Sequence, residues 1–231
     1  MDRVALITGG SRGIGAATAV LAAKQGWKVA VNYSASAGAA DEVVQASRAG
    51  GGHAIAVRAD VADEAQILAM FEEVDAKLGR LSGLVNNAGV IDFTSRVEDM
   101  TVARLRRMFE INVIGSMVCA REAVRRMSTR HGGSGGSIVN LSSAAARLGA
   151  PGQYVDYASA KGAIDTFTIG LAKEVAAEGI RVNAVRPGLI ETDIHASGGI
   201  PDRVQQLVHL VPMQRGGSAD EVAQAICWLL S

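Results

Sequence analysis

A tyrosine and a lysine four residues apart are the first side chains in this sequence that could do chemistry. The chain holds three tyrosines, and only Tyr157 is followed at that distance by a lysine, Lys161. On a helix the two side chains share a face, where an ammonium group would lower the pKa of the phenol from its usual value of about 10. Such lowering would suit the phenol to general acid/base catalysis. The same spacing also occurs by chance on amphipathic helices.

Two serines precede that tyrosine at the end of an apolar segment. Residues 140–143 read Asn-Leu-Ser-Ser, and open α/β sheets bind ligands at the carboxyl ends of their strands. A hydroxyl group at Ser142 or Ser143 could therefore hold the carbonyl oxygen of a substrate. Serine is also a common turn residue, so at least one of the pair is expected to serve only the turn.

A glycine-rich turn near the N-terminus is the next feature with chemical meaning. Residues 8–15 read TGGSRGIG, after an apolar strand pattern and before an alanine-rich helical one. Glycine lets a turn approach a pyrophosphate closely, and the free amides of a helix N-terminus favour the anion. The spacing of Gly9, Gly13 and Gly15 is wider than the usual dinucleotide fingerprint, so a turn that serves only packing is the alternative. No Gly-Lys-Ser/Thr follows, which excludes a Walker-type ATP loop.

The end of the second predicted strand bears on which dinucleotide would bind. An NAD site places a carboxylate there for the ribose hydroxyls, but residues 31–36 read Val-Asn-Tyr-Ser-Ala-Ser and the next carboxylate is Asp41. Arg12, inside the glycine turn, could instead pair with a 2′-phosphate. NADP (as NADPH) is therefore favoured over NAD, and the alternative is that Arg12 is merely solvated.

The hydrophobic pattern predicts a scaffold that brings these residues together. Short runs rich in Val and Ile alternate with longer alanine-rich stretches of helical period, which indicates βα units. We expect an α/β fold, a single-domain Rossmann-type doubly wound parallel sheet in a three-layer α/β/α arrangement, over residues 1–231. The predicted strands are residues 4–8, 28–32, 53–58, 83–86, 137–141 and 181–185, and the helices include residues 13–25 and 64–78.

One segment departs from the βα pattern. Residues 190–215 include Gly198, Gly199, Pro201 and Pro212 and lie between the last predicted strand and the last predicted helix. Such a segment could close over a substrate, so we expect a substrate-binding loop or lid there. Residues 90–96 are expected to line the same pocket.

Composition narrows the class of protein. Lysine plus arginine and aspartate plus glutamate both number 23, which argues against a nucleic-acid or membrane-surface binder. No apolar run reaches the length of a membrane span and the N-terminus does not read as a signal peptide, so a cytoplasmic location is expected. Cys119 and Cys227 are interpreted as buried apolar residues, and the scattered histidines predict no metal site.

Taken together, the order and spacing of several motifs resemble those of the classical short-chain dehydrogenase/reductase family. The matching residues are the turn at 8–15, Asp60-Val61, Asn86-Asn87-Ala88-Gly89, Asn112, Ser143, Tyr157 with Lys161, and Pro187-Gly188 with Thr192. The resemblance covers essentially the whole chain, and agreement at so many places is far more specific than any single motif. It implies a nicotinamide-dependent oxidoreductase that interconverts a carbonyl and an alcohol.

The resemblance also implies roles for individual residues. Tyr157 would exchange a proton with the substrate oxygen, and Ser143 would orient that oxygen. Lys161 would bind the nicotinamide ribose and lower the pKa of Tyr157, while Asn112 would support a water-linked proton relay. The implied cofactor-binding residues are Gly9, Ser11, Arg12, Gly13, Ile14, Gly15, Asn32, Asp60, Val61, Asn86, Ala88, Gly89, Tyr157, Lys161, Pro187, Gly188, Ile190 and Thr192. Within that set, Asp60 and Val61 would meet the adenine, Asn86, Ala88 and Gly89 the adenosine ribose, and Ile190 and Thr192 the carboxamide.

Two features depart from the family pattern. Residues 152–157 are one residue longer than in many members, which leaves the choice between Ser142 and Ser143 open. The sequence stops at Ser231, where members usually continue into a seventh strand, and an exposed sheet edge there would weaken assembly. A homo-oligomer, either a tetramer or a dimer, is still expected.

Two hypotheses for the function follow. The leading one is an NADP-dependent oxidoreductase whose small-molecule substrate is a 3-oxoacyl thioester, a sugar or another ketone, with no metal because the cofactor carries the hydride chemistry. The alternative is a catalytically silent NADP-binding sensor of the same fold. The presence of Ser143, Tyr157 and Lys161 favours the enzyme, because a sensor needs no proton donor.

Overall fold

A single sheet of six parallel strands forms the centre of the molecule, in the order β3-β2-β1-β4-β5-β6. The computed structural model describes residues 3–231. The strands are β1 (Val4–Ile7), β2 (Lys28–Tyr33), β3 (His53–Arg58), β4 (Gly83–Asn86), β5 (Gly136–Leu141) and β6 (Ile180–Val185). Helices cover both faces, which confirms the predicted doubly wound α/β fold. Each predicted strand is present, and its ends differ from the prediction by no more than one residue.

The α-helices of residues 3–231 connect the strands and cover the sheet. They are α1 (Gly13–Lys24), α2 (Ala37–Ala49), α3 (Glu64–Leu78), α4 (Val102–Phe109), α5 (Gly115–Met127), α6 (Ala145–Leu148), α7 (Val155–Val175), α8 (Ile194–Ser197), α9 (Arg203–Leu207) and α10 (Ala219–Leu230). None of these helices is both long enough and apolar enough to cross a membrane.

Helix α3 shows how local sequence sets the helix ends. The Asp63 side chain accepts hydrogen bonds from the backbone N–H groups of Ala65 and Gln66, at 2.9 and 3.2 Å, and so caps the first turn. Gly79 ends the helix with a φ of +97°, a conformation that favours glycine. The predicted bounds of this helix, residues 64–78, are confirmed.

The direction in which the chain crosses the sheet changes between β1 and β4. Strand β1 pairs in parallel with β2 on one side and with β4 on the other. The connections that leave β1 and β4 therefore diverge, and a crevice opens at the carboxyl ends of these two strands. Folds of this class bind ligands at that crevice.

Two apolar cores lie on opposite faces of the sheet. Leu6 belongs with Phe71 to the core on one face, while the next residue, Ile7, belongs with Trp27 to the core on the other, because successive side chains of a strand point to opposite sides. Both faces are covered, so β1 and β4 are buried along their whole length. Cys119 and Cys227 are buried, one in each core, as the sequence predicted.

Helices α4 and α5 form one continuous stretch that is interrupted by a π-helical turn at Glu110–Ile114. A π-turn adds one residue to the local turn and is frequent at functional sites. Asn112 lies in this turn and is fully buried. The irregular turn therefore contains a residue for which the sequence predicts a catalytic role.

Residues 190–215 form an excursion from the sheet whose base is fixed by backbone pairing. The Glu191 N–H donates to the Gly217 carbonyl oxygen and the Gly217 N–H donates to that of Leu189, each at 2.9 Å. Between these anchors the chain forms the two short helices α8 and α9. The excursion contributes one wall of the cavity at the strand ends.

Phe71→Ala should lower the free energy of unfolding by about 3–5 kcal/mol, because its fully buried ring would leave a cavity in the core. The matched control is Phe93→Ala, whose side chain is 66% exposed and whose loss should be below about 1 kcal/mol. Urea unfolding followed by tryptophan fluorescence measures both variants. Equal losses would contradict the placement of the core.

Candidate active site

A cavity of about 690 Å³ lies at the carboxyl ends of the strands, bounded on one side by residues 190–215. It extends from the glycine turn after β1, past the ends of β4 and β5, to α8 and α9. The predicted site residues that line it are Gly9, Ser11, Arg12, Gly13, Ile14, Asn32, Asp60, Val61, Ala88, Gly89, Ser143, Tyr157, Lys161, Pro187, Gly188, Ile190 and Thr192. Gly15, Asn86 and Asn112 were predicted as well, but they do not line the cavity wall.

Tyr157 lies in the first turn of α7, which a buried ion pair holds in place. Arg104 on α4 pairs with Asp156 at 2.8 Å, and the Asp156 side chain is fully buried. The other carboxylate oxygen of Asp156 accepts a hydrogen bond from the Tyr157 N–H at 2.9 Å. Arg104 also donates to the Phe93 carbonyl oxygen at 2.6 Å, so α4, α7 and the loop after β4 are joined beside the phenol.

Burial raises the pKa of Tyr157, and a hydrogen bond with the Ser143 side chain offsets only part of that rise. The phenol is therefore protonated at neutral pH in the structure. The two hydroxyl groups together offer a pair of hydrogen-bonding groups to one oxygen atom of a bound molecule.

Lys161 extends from α7 towards the end of β5. Its Nζ donates to the Leu141 carbonyl oxygen at 2.7 Å and lies 5.6 Å from the centre of the Tyr157 ring. Burial lowers the pKa of Lys161 to about 8, and the nearby Asp165 opposes part of that shift. An amine with this pKa can both hold and release a proton near neutral pH.

The expectation that Lys161 lowers the pKa of Tyr157 is not met in this structure. The ammonium group is directed at the Leu141 carbonyl oxygen, while the phenol lies in a desolvated position that penalises its charged form. The pKa of Tyr157 is therefore raised above 10 while that of Lys161 is lowered to about 8, so the two values move apart, because burial disfavours the charge on both groups.

The two serines after β5 have different partners. The Ser142 hydroxyl donates to the carbonyl oxygen of Lys161 at 3.2 Å, and the residue is buried. The Ser143 hydroxyl accepts from the Ala145 N–H at 3.1 Å and lies near enough to the phenol of Tyr157 to act on its pKa. Ser142 thus ties β5 to α7, and Ser143 is the serine that lies beside the reactive side chain.

Asn112 lies behind the cavity wall and holds the loop after β4. Its amide accepts from the Val90 N–H at 3.2 Å and donates to the Val90 carbonyl oxygen at 3.0 Å, as a strand partner would. A Cβ on Gly89 would lie 2.8 Å from Asn112 Oδ1 and 3.6 Å from Lys161 Nζ. The absence of a side chain at Gly89 therefore keeps the space between these two polar atoms open.

The glycine turn is packed too tightly to admit side chains. Gly9 has a φ of +60°, and a Cβ there would lie 2.9 Å from the Ala88 backbone. A Cβ on Gly15 would lie 2.5 Å from the Gly9 carbonyl oxygen, so Gly15 serves the turn without lining the cavity. The result is an open backbone cradle before the N-terminus of α1, which fits the pyrophosphate of a dinucleotide.

The side chain of Asn32 braces the end of β2. It accepts from the Gly9 N–H at 3.1 Å and donates to the Ala59 carbonyl oxygen at 3.0 Å. Beyond it the cavity is lined by Tyr33, Ser34 and the two following residues, and no carboxylate from the end of β2 faces it. This part of the wall lacks the acidic group that an NAD ribose would use.

Asn87, for which the sequence suggested no role, faces the cavity, whereas the side chain of Asn86 does not. Asn86 ends β4 with a buried side chain that donates to Asn140 Oδ1 at 2.9 Å, away from the cavity. Asn87 lines the cavity, and its amide donates to the carbonyl oxygens of Thr8 and Gly9, both at 2.9 Å. The signal for Asn87 is its position directly after the strand, where a side chain reaches the strand-end crevice.

The far end of the cavity contains residues that the sequence motifs did not indicate. Tyr154, one turn before Tyr157, is buried and donates from its hydroxyl to the Gly198 carbonyl oxygen at 3.3 Å. Arg203 of α9 lies over its ring. Of residues 90–96, Val90 and Ile91 line the cavity; the other wall residues at this end include Leu148, Ile194, His195, Leu207, Leu210 and Val211.

Comparison with known proteins places this arrangement in a family. A family model described as enoyl-(acyl carrier protein) reductase matches residues 9–231. An uncharacterized oxidoreductase, YgfF of Escherichia coli, is 57% identical over 228 residues, which cover 99% of this chain and 92% of that protein. Cis-4-hydroxycyclohexanecarboxylate dehydrogenase of Sinomonas cyclohexanicum is 40% identical over 233 residues, covering 100% and 90% of the two chains.

A solved structure agrees with these sequence comparisons. The crystal structure of a short-chain dehydrogenase from Burkholderia cenocepacia in complex with NADP has a TM-score of 0.89 and 34% identity, and the match covers 100% of this chain and 90% of that one. The fold and site thus define an oxidoreductase that binds a nicotinamide cofactor. The chain belongs to the short-chain dehydrogenase/reductase family.

The lowered pKa of Lys161 should make stability depend on pH. The folded protein loses this proton at a pKa of about 8 and the unfolded chain at 10.5, so the unfolded chain binds more protons between these values and stability rises with pH. Above about pH 10 the raised pKa of Tyr157 acts in the opposite direction.

We therefore expect the stability of the wild type relative to Lys161→Met to increase between about pH 8 and pH 10, by up to about 1.4 kcal/mol per pH unit. Urea unfolding of the cofactor-free proteins measures this difference. Lys173→Met changes an exposed lysine on the same helix and serves as the control. A difference that stays constant across the range would contradict the assignment.

Proposed function

We propose that the chain is an NADP-dependent reductase or dehydrogenase that transfers a hydride between the nicotinamide and a ketone or secondary alcohol. One observation carries the proposal: the hydroxyl groups of Ser143 and Tyr157 adjoin in a cavity that continues to the glycine cradle, with buried Lys161 beside them. A phosphate-binding cradle and a proton donor at opposite parts of one cavity are what hydride transfer to a carbonyl requires.

The chain's own residues supply the proton and the orientation. A nicotinamide cofactor held in this cavity would supply the hydride to the carbonyl carbon during reduction. Ser143 and Tyr157 hold the carbonyl oxygen, and Tyr157 gives its proton to that oxygen as the alcohol forms. Because burial raises the pKa of Tyr157, the phenol carries this proton at neutral pH, which is the protonation state that reduction requires.

Lys161 and Asn112 are proposed to return the proton to Tyr157. The Lys161 amine lies beside the phenol ring and titrates at a pKa of about 8. The space next to Gly89, between Lys161 Nζ and Asn112 Oδ1, is where a water molecule would link the two groups. Lys161 would also bind the nicotinamide ribose.

The remaining cavity residues are proposed to hold the dinucleotide. The backbone of residues 9–15 would bind the pyrophosphate, Asp60 and Val61 the adenine, and the loop after β4 the adenosine ribose, with Asn87 in the place first given to Asn86. The carboxamide would meet the loop after β6. That loop contributes Pro187, Gly188, Ile190 and Thr192 to the cavity.

The preference for NADP rests on the charges around the end of β2. Ser34 and Ser36 line the cavity there without a carboxylate. Arg12 lines the same region, is exposed, and forms no ion pair with a carboxylate of residues 3–231. Its guanidinium is free to bind the 2′-phosphate, which NADP has and NAD lacks.

The substrate is proposed to bind between Tyr157 and residues 190–215, which would act as a lid. The wall there combines apolar side chains with a few polar ones, as small-molecule sites do. The relative named cis-4-hydroxycyclohexanecarboxylate dehydrogenase points to ring alcohols and ketones as substrates to test first. Assembly of the chain as a tetramer or dimer remains part of the proposal.

Replacing Tyr157 tests the proton-transfer step. Tyr157→Phe should reduce kcat for ketone reduction by about 100-fold or more, because a positioned general acid contributes about 10²–10⁴-fold. The dissociation constant for NADPH should stay within a few-fold of the wild-type value. Steady-state NADPH consumption against a panel of ketones, 3-oxoacyl thioesters and sugars, with fluorescence titration of NADPH, gives both quantities. Unchanged turnover would overturn the mechanism.

Replacing Arg12 tests the cofactor preference. Arg12→Ala should weaken NADPH binding roughly 10- to 100-fold, the usual range for loss of a charge-assisted hydrogen bond, and should leave NADH binding unchanged. Calorimetric titration with each cofactor measures the two constants, and NADH serves as the internal control. Equal weakening for both cofactors would mean that Arg12 supports the turn and does not read the 2′-phosphate.

A further inference from the structure

Arg203 is a cation at the substrate end of the cavity without an acidic partner. It begins α9 and lines the cavity, where its Nη2 donates to the Gln153 side-chain oxygen at 2.8 Å. It forms no ion pair with any carboxylate of residues 3–231, including the adjacent Asp202 and the cavity residue Asp193. Most of its guanidinium donors are therefore available to a bound molecule.

Two other arginines in this part of the molecule contrast with Arg203. Arg104 pairs with Asp156 at 2.8 Å, and Arg215 pairs with Glu221 at 2.6 Å. Each of these pairs fixes a helix end and neutralises its charge within the protein. Arg203 faces the cavity with its charge uncompensated, which is the arrangement of a group that recognises an anion.

The guanidinium of Arg203 is held in position before any ligand binds. It lies 5.1 Å from the centre of the Tyr154 ring, a cation–π contact. The ring is fixed by its own burial and by the hydrogen bond from its hydroxyl to the Gly198 carbonyl oxygen. A cation fixed in this way loses little side-chain entropy when it binds a carboxylate.

The charge of Arg203 acts on a neighbouring residue of the cavity wall, His195. Burial lowers the pKa of His195, and the nearby charge of Arg203 lowers it further, although the hydrogen bond with the Ile190 carbonyl oxygen opposes both. The positive charge of Arg203 therefore acts on at least one other residue of the cavity wall. An anion bound to Arg203 would be attracted by a charge that no carboxylate of residues 3–231 neutralises in an ion pair.

The anion site is close to the reactive phenol. Tyr154, whose ring contacts the guanidinium, lies directly before α7 and three residues before Tyr157, and Tyr154, Tyr157 and Arg203 all line the same cavity. A small molecule whose carbonyl oxygen meets Tyr157 would thus place a substituent several carbon atoms away near Arg203.

We propose that Arg203 binds a carboxylate group of the substrate, so that the enzyme acts on oxo acids, or hydroxy acids, whose carboxylate is several carbons from the reacting carbon. This inference rests on the proposed function for the reaction itself. Arg203 is then a specificity-determining residue, and Tyr154 and Gln153 are the residues that position it.

Matched acidic and neutral substrates test the proposal. With NADPH, wild type should reduce 4-oxocyclohexanecarboxylate with a kcat/KM roughly 10- to 100-fold above that for its methyl ester. Arg203→Gln should abolish this preference by lowering kcat/KM for the acid alone, and Arg203→Lys should retain part of it. Arg130→Gln, which removes an exposed arginine paired with Glu178, is the matched control and should behave as wild type.

A binding measurement separates this inference from the proposed function. Calorimetry with the NADP-saturated protein should show that cyclohexanecarboxylate, which has no carbonyl to reduce, binds wild type at least about 10-fold more tightly than Arg203→Gln. Cyclohexanecarboxamide, its neutral analogue, should bind both proteins equally.

The outcomes are distinct. If cyclohexanecarboxylate does not bind wild type, or binds Arg203→Gln equally well, the carboxylate site is wrong even where neutral ketones are reduced. If its binding depends on Arg203 but no ketone or alcohol is turned over, the carboxylate site stands and the proposed function fails.

Discussion

A buried ammonium group constrains the geometry of the whole site. Lys161 is 4% exposed, and an amine in such a position requires polar partners within the protein. The fold provides one at the end of β5, where the Leu141 carbonyl oxygen accepts from Nζ, while Ser142 bonds back to the main chain of Lys161. These contacts hold α7 against the end of β5. Tyr157, one helical turn earlier, is thereby held next to Ser143.

Most buried polar side chains around Tyr157 and Ser143 hydrogen-bond within the protein, so few of them are available to a substrate. A chain of buried side-chain hydrogen bonds runs from Asn86 through Asn140 to Thr168 and links β4, β5 and α7, with both bonds at 2.9 Å. Asn112 is occupied by the loop after β4 in the same way. These amides are occupied by partners within the protein, and Ser143 and Tyr157 present their hydroxyl groups to the cavity. The reactive part of the site therefore consists of a few side chains that buried hydrogen bonds hold in place.

The sequence predicted the fold well because its strands are buried runs and its helix ends carry clear signals. The glycine turn and the Tyr157–Lys161 pair were recognisable because their chemistry is local in the chain. The contact of Asn86 with a cofactor stays a prediction, and the motif does not say which of two adjacent asparagines has its side chain in the cavity wall, where the structure has Asn87. The direction in which the pKa of Tyr157 shifts depends on burial, which local spacing does not show. The contact of Arg203 with Tyr154 joins segments that are far apart in the sequence, so local spacing does not show it either.

Different elements of the fold carry proton transfer and substrate binding, which explains how one fold can serve many substrates. Proton transfer depends on β5 and α7, which the buried lysine and the Arg104–Asp156 pair lock together. The substrate instead meets side chains from the loop after β4 and from residues 190–215, which stand outside the sheet on a fixed base. Replacing Arg203 by a neutral residue, for example, can then change which substrate binds without moving the phenol of Tyr157. Relatives that share the catalytic residues are therefore expected to differ in the charge and shape of this outer wall.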